Sequence, residues 1–138
     1  MRYYIDTNVL IFYLSNSRDD LSPKVADILF DLGNTILVSS IAVQELILLY
    51  KIGKMKHLRF KSEDDILDAI EKTYFEIVFF NKYHLAKYIK LNIMEGHKDM
   101  NDHAIIAQAM TEKIALISSD KEFANYTAQG LNFVFNKR

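Results

Sequence analysis

Short apolar runs alternate along the chain with longer segments whose apolar residues recur at helical spacing. The runs at 2–6, 35–39, 76–80, 114–118 and 131–135 are rich in β-branched and aromatic side chains, as strands covered on both faces are. Residues 8–15 form a short helix after the first run. Ser22-Pro23 supplies an N-cap and a proline at the first helical position, opening a helix to about Leu32 that Gly33 stops. A helix over 41–52 ends before Gly53. Ser62 with Asp65 resembles a capping box ahead of Ile66, Leu67 and Ile70. Asn81 caps a helix expected to reach Met94, before Glu95-Gly96, and a last helix spans 101–113. Strands alternating with helices predict a parallel sheet with right-handed crossovers, an α/β fold.

With 138 residues the chain is expected to be a single domain, 1–138, large enough to bury a core without staples. One proline and four glycines leave no obvious linker. The absence of cysteine excludes disulfides and thiolate metal sites. Met1-Arg2-Tyr3-Tyr4-Ile5-Asp6 reaches an acid too soon for a signal peptide, and no apolar run has the length to span a bilayer, so a cytoplasmic protein without membrane partners is expected.

The net charge of −1 implies no polyanion partner by itself, but its distribution does more. No acidic residue lies between Glu45 and Glu63, whereas Lys51, Lys54, Lys56, Arg59 and Lys61 do, with His57 among them. A segregated patch of this kind can contact phosphates. A solvated helix end and loop explains the same charges, and both remain open on sequence grounds.

Five carboxylates stand out. Asp6 closes the first apolar run and Asp120 the fourth, positions that a turn or N-cap residue also fills. Glu45 is flanked on a helix by Ile41, Leu48, Leu49 and Ile52 at −4, +3, +4 and +7, which is expected to be the packing face. Asp102 is followed by Ile105, Ile106 and Ala109 at +3, +4 and +7. Helix-dipole stabilisation would account for acids near helix starts but not for acids on an apolar stripe. Asp99 fits a ligand, a supporting group or an ordinary cap, with support favoured. His97 and His103 sit near a loop, where hydrogen bonding or surface exposure is the ordinary role. Open α/β sheets place their sites at the carboxyl ends of strands. Acids gathered there call for a positive partner, and oxygen donors favour Mg²⁺ or Mn²⁺ over Zn²⁺.

Asp6-Thr7-Asn8, Glu45, the stretch opening Asp102-His103-Ala104-Ile105-Ile106, and Ser118-Ser119-Asp120 together resemble the PIN-domain ribonucleases, more narrowly the VapC-type toxins of toxin–antitoxin pairs. The likeness runs through essentially the whole chain. His97-Lys98-Asp99 followed by Asp102 is similar to a toxin subgroup's His-x-Asp-Pro-x-Asp-Arg signature, with Met100 in place of proline and His103 in place of arginine. The resemblance implies a PIN-like three-layer α/β/α sandwich with a central parallel sheet of about five strands. It makes Asp6, Glu45, Asp102 and Asp120 a catalytic quartet holding one or two Mg²⁺ or Mn²⁺ ions, with Asn8, Asp99 and Ser118 supporting them. It further implies an endoribonuclease that leaves a 5′-phosphate and a 3′-hydroxyl, a small cognate antitoxin and a homodimer. Lys51, Lys54, Lys56, Arg59 and Lys61 then become RNA contacts, helped by Tyr50 or Phe60, and a protonated His103 takes over part of the missing arginine's role. The alternatives are an RNA-processing or flap nuclease without an antitoxin, and a non-catalytic binding module.

Overall fold

The computed structural model describes residues 1–138. Strands β1 (Arg2–Ile5), β2 (Thr35–Ser39), β3 (Glu76–Val78), β4 (Ala115–Ser118) and β5 (Phe133–Phe135) form one wholly parallel sheet in the order β3-β2-β1-β4-β5. Helices α1 (Thr7–Leu14), α2 (Pro23–Phe30), α3 (Ser40–Lys51), α4 (Glu63–Lys72), α5 (Lys82–Lys90) and α6 (Met100–Glu112) flank it as a three-layer α/β/α sandwich. Successive strand residues point to opposite faces, yet Tyr4 and Ile5, Leu37 and Val38, and Leu116 and Ile117 are all fully buried. Helices must therefore cover both faces of the three central strands. The edge strands β3 and β5 are only partly buried.

The chain builds outward from β1 through β2 to β3, then returns to lay β4 against the other side of β1. The direction of winding reverses between β1 and β4, which opens a crevice at their carboxyl ends. Short polar caps start the helices around it. Ser22 Oγ accepts the Val25 N–H at 3.2 Å with Pro23 behind it, and Ser39 Oγ accepts the Ile41 N–H at 3.0 Å.

Several expected boundaries move. The strands expected at 76–80 and 131–135 shorten to three residues each. Beyond Val78 the chain turns to α3, where the Phe80 N–H donates to Ser40 Oγ at 2.9 Å. Asn81 does cap α5, and His84 Nδ1 accepts the Asn81 N–H in return at 3.0 Å, an imidazole completing the box. That helix stops at Lys90 rather than Met94. Leu91 is buried in an extended conformation, and the Gln129 amide bonds both the N–H and the C=O of Asn92, so tertiary partners win over helix propagation. The capping box expected at Ser62 is absent: Ser62 makes no cap, and Asp65 Oδ2 instead accepts the Lys61 N–H at 2.7 Å.

The phase expected for α3 is also wrong. Its buried residues are Ala42, Val43 and Leu46, while Leu48 and Ile52 are 53% and 55% exposed. Apolar residues occupy most positions from 41 to 49, so more than one stripe fits the sequence. The direct join of Ser39 in β2 to Ser40 in α3 leaves no loop to adjust, and that join sets the rotation.

Gln108, wholly buried on α6, ties the sheet to the helices. Its Oε1 accepts from Ser39 Oγ at 2.5 Å, and its Nε2 donates to Val78 O at 3.0 Å and to Tyr4 Oη at 3.3 Å. A leucine there would leave the fully buried Ser39 hydroxyl without this partner and would remove the bond to the partly buried Val78 carbonyl. Gln108→Leu is expected to cost about 2–4 kcal/mol by urea denaturation, and a loss below roughly 0.5 kcal/mol would show that the network carries little stability.

Candidate active site

Ile5 pairs with Val38 on one side and Ile117 on the other, so Asp6 lies level with Ser39 and Ser118 at the carboxyl ends of the central strands. The Asp6 N–H continues the ladder by donating to Ile117 O at 3.1 Å. Its side chain then starts α1, Oδ1 accepting the Val9 N–H at 2.9 Å, while Oδ2 accepts from Ser118 Oγ at 2.5 Å. Burial pushes the Asp6 carboxyl up to about 6, against the pull of these two hydrogen bonds, and the charges of Glu45 and Asp120 push it the same way.

Three other elements bring acids to the same place. Glu45 reaches in from the second turn of α3, where Oε2 accepts from Asn101 Nδ2 at 2.8 Å. Burial raises its pKa; the Asn101 amide and the Thr7 hydroxyl oppose that, and the Asp99 charge adds to it. Asp102, in the first turn of α6, sits with Oδ2 at 3.1 Å from His97 Nε2. Its carboxyl is raised to about 7, chiefly by burial and further by the charges of Asp99 and Asp6, with His97 opposing. Asp120 follows β4, and its N–H donates to Ser118 Oγ at 3.0 Å. One serine hydroxyl thus joins Asp6 to Asp120. Asp120 Oδ1 also accepts the Glu122 N–H at 2.9 Å, capping a 3₁₀ segment over Lys121–Gln129.

The supporting residues divide. Ser118 is buried and touches Asp6. Asp99 is the N-cap of α6, accepting the N–H groups of Asn101 and Asp102, and it acts on the acids through its charge rather than by contact. Asn8 is exposed on the first turn of α1. His103 corrects its expected role. It is buried, its Nε2 bonds the His97 carbonyl at 2.9 Å, and burial with the neighbouring His97 lowers its pKa. A buried imidazole whose Nε2 is taken up by a backbone carbonyl has no free donor edge to offer a phosphate in place of the arginine.

Lys51, Lys54, Lys56, Arg59 and Lys61 are all exposed, but they are not equally placed. Lys51 lines one hollow with Gln44, Glu45 and Asn101, and a second with Tyr50, Lys56 and Phe60. It therefore links the acidic site to the basic stretch, while also pairing with Glu63 at 3.3 Å. Lys54, Arg59 and Lys61 line neither hollow.

Sequence patterns underrated His97 and missed Asn101. His97 is 4% exposed, and its donor atom lies within 4.8 Å of those of Asp102 and Asp120. The signal available was its spacing of five residues before Asp102 within the His-x-Asp motif. Asn101 gave no signal beyond adjacency. The donor set, mostly carboxylate oxygens that are partly desolvated and repel one another, fits a hard divalent cation.

The family model of the PIN domain matches residues 3–129. The chain belongs to the PIN domain family. No curated protein matches it. Among solved structures, this PIN domain is similar to VapBC2 from Rickettsia felis bound to a DNA fragment from their promoter, at 24% identity, TM-score 0.70 and 98% coverage of both chains. It is similar to VapBC-1 from nontypeable Haemophilus influenzae at 19% identity, TM-score 0.66 and 98% coverage of both. FitAcB from Neisseria gonorrhoeae follows at 21% identity and TM-score 0.61, with 97% and 96% of the two chains covered. No helix of this PIN domain is long and apolar enough to cross a membrane.

The raised carboxyls make stability depend on pH. A group whose folded pKa lies above its unfolded one stabilises fully below the unfolded value and loses that contribution as pH rises through the folded value. For Asp6 the window runs from 3.8 to about 6, a loss of about 3 kcal/mol, and Asp102 extends it to about 7. Chelator-treated protein should therefore melt at lower temperature at pH 8 than at pH 5, with a smaller difference in Asp6→Asn. An unchanged difference in that variant would show that Asp6 is not the group responsible.

Proposed function

We propose that this PIN domain is a Mg²⁺- or Mn²⁺-dependent endoribonuclease and the toxin of a type II toxin–antitoxin pair. The observation that carries this proposal is the convergence of Asp6, Glu45, Asp102 and Asp120, from four elements, on the crevice where the sheet reverses direction. Ordinary capping accounts for Asp6 and Asp120 one at a time, but not for Asp6 and Asp102 being held at raised proton affinity by burial and by the charges of neighbouring acids. Membership of the PIN family and similarity in fold to VapBC and FitAcB structures support the toxin assignment.

In this mechanism the four acids would hold the cation. The chemistry supplied by a bound Mg²⁺ or Mn²⁺ is activation of a water and neutralisation of charge on the phosphate and the leaving oxygen. The protein's part is positioning. Ser118 and the Val9 N–H fix both oxygens of Asp6, Asn101 fixes Glu45, and His97 holds Asp102 in place until a cation binds. Lys51, at the junction of the two hollows, leads RNA phosphates from the basic stretch toward Glu45. A small antitoxin and a second copy of the chain are the proposed protein partners.

Purified protein should cut RNA with Mg²⁺ or Mn²⁺, stop with chelator, and leave 5′-phosphate ends on sequencing gels. Asp6→Ala and Asp102→Ala should each lower the rate roughly 100-fold or more. Cleavage that persists in both variants would rule out the mechanism. On the substrate side, replacing Lys51, Lys54 and Lys56 with alanine should flatten the slope of log affinity against log salt by about 2 for single-stranded RNA. An unchanged slope would place the RNA elsewhere.

A further inference from the structure

His97 is more deeply buried than the acids Asp102, Asp120 and Glu122 around it, and only one edge of its ring faces them. Nδ1 is held at 2.8 Å by Tyr126 Oη, which also accepts the Met94 N–H at 3.2 Å. The His103 ring meets it edge-on at 4.6 Å, and Phe123 and Tyr126 close the remaining sides. Nε2 is left facing Asp102 Oδ2 at 3.1 Å and Glu122 Oε2 at 3.8 Å. The imidazole cannot swing away, so its nitrogen is a fixed feature of the acidic crevice.

We propose that His97 Nε2 is a metal ligand, shared with Asp102 and Asp120, and that it makes this site prefer Mn²⁺ to Mg²⁺. The proposal rests on the metal-dependent nuclease assignment and adds a nitrogen donor to its oxygen set. Bonds of about 2.0–2.2 Å to one cation keep any two donors within roughly 4.4 Å of each other. The donor atoms of His97, Asp102 and Asp120 already lie within 4.8 Å, so small side-chain rotations suffice. Mg²⁺ takes oxygen donors and keeps its waters, whereas imidazole suits the later transition metals and binds Mn²⁺ more readily than Mg²⁺.

Proton bookkeeping is satisfied within the cluster. Ligation by Nε2 requires the ring proton on Nδ1, where Tyr126 Oη stands to accept it. Metal-bound histidines are ordinarily oriented by such a bond from the other ring nitrogen, and here the phenol occupies that place. Without a cation the same imidazole can carry its proton on Nε2 and donate it to Asp102. One rigid ring therefore serves the carboxylate in one state and the ion in the other.

Electron spin-echo envelope modulation of Mn²⁺ bound to the full chain tests this directly. The expected result is nitrogen modulation from one imidazole in the wild-type protein and none in His97→Asn. By calorimetry the variant should bind Mn²⁺ roughly tenfold or more weakly, and its loss of Mn²⁺ affinity should clearly exceed its loss of Mg²⁺ affinity. Mn²⁺ bound to the wild-type protein without nitrogen modulation would overturn the proposal and leave the carboxylate site standing; this measurement needs no variant to fold. Failure of the chain to bind Mn²⁺ at all would overturn both this proposal and the nuclease assignment. Equal losses of Mn²⁺ and Mg²⁺ affinity in the variant would overturn the preference, reducing His97 to a positioning residue.

Discussion

The fold holds like charges together out of water. Two charges about 4 Å apart repel by roughly 4 kcal/mol at an effective dielectric of 20, and burial adds to that cost. The chain offsets part of it with fixed donors, each from a different element: Ser118 at the end of β4, the Val9 N–H in α1, Asn101 in α6 and His97 in the loop before α6. The remainder is held as raised proton affinity in Asp6, Glu45 and Asp102. In the proposed metal-bound state a cation would take the place of those protons.

Helix α6 carries much of this arrangement, and its burial explains how. Every residue from His103 to Ala109 is buried, so the helix passes through the interior and its polar side chains must find partners there. At one end Asp102 meets His97 beside the crevice. In the middle Gln108 binds Ser39, Tyr4 and the Val78 carbonyl. At the far end Glu112 accepts from the Tyr4 hydroxyl and from His84 Nε2, whose other nitrogen accepts the Asn81 N–H. Burial and Glu112 together push the Tyr4 phenol well above its ordinary range. This line of polar contacts fixes the helix axially as well as laterally, and so sets the depth at which Asp102 enters the site.

Much of the architecture was legible in the chain. Five apolar runs in a βα alternation gave the parallel sheet, and Ser22-Pro23 and Asn81 marked true helix starts. The errors have definite causes. Helix α5 ends early because Leu91 is drawn into the core and Asn92 is taken up by Gln129, a residue 37 positions away that no local pattern reveals. Helix α3 buries Ala42, Val43 and Leu46 rather than the expected stripe, because apolar residues occur on most of its sides and its sequence fits more than one face. Glu45 still reaches the site, but from the margin of the buried face rather than from its centre.

Which residues are acidic, and that they fall at strand ends and helix starts, was determined by the sequence, since these follow from residue type and local periodicity. That they meet was decided by the tertiary structure. Asp6 and Ser118 are 112 positions apart, and Glu45 and Asn101 are 56 apart; only strand register and the reversal of winding between β1 and β4 bring them into contact. The same distinction separates the two histidines of the motif. In sequence His97 and His103 are equivalent loop-side residues, whereas in the fold one presents its Nε2 to the acids and the other bonds a backbone carbonyl. The direction in which a side chain points depends on what packs around it, and that information is spread over the whole chain.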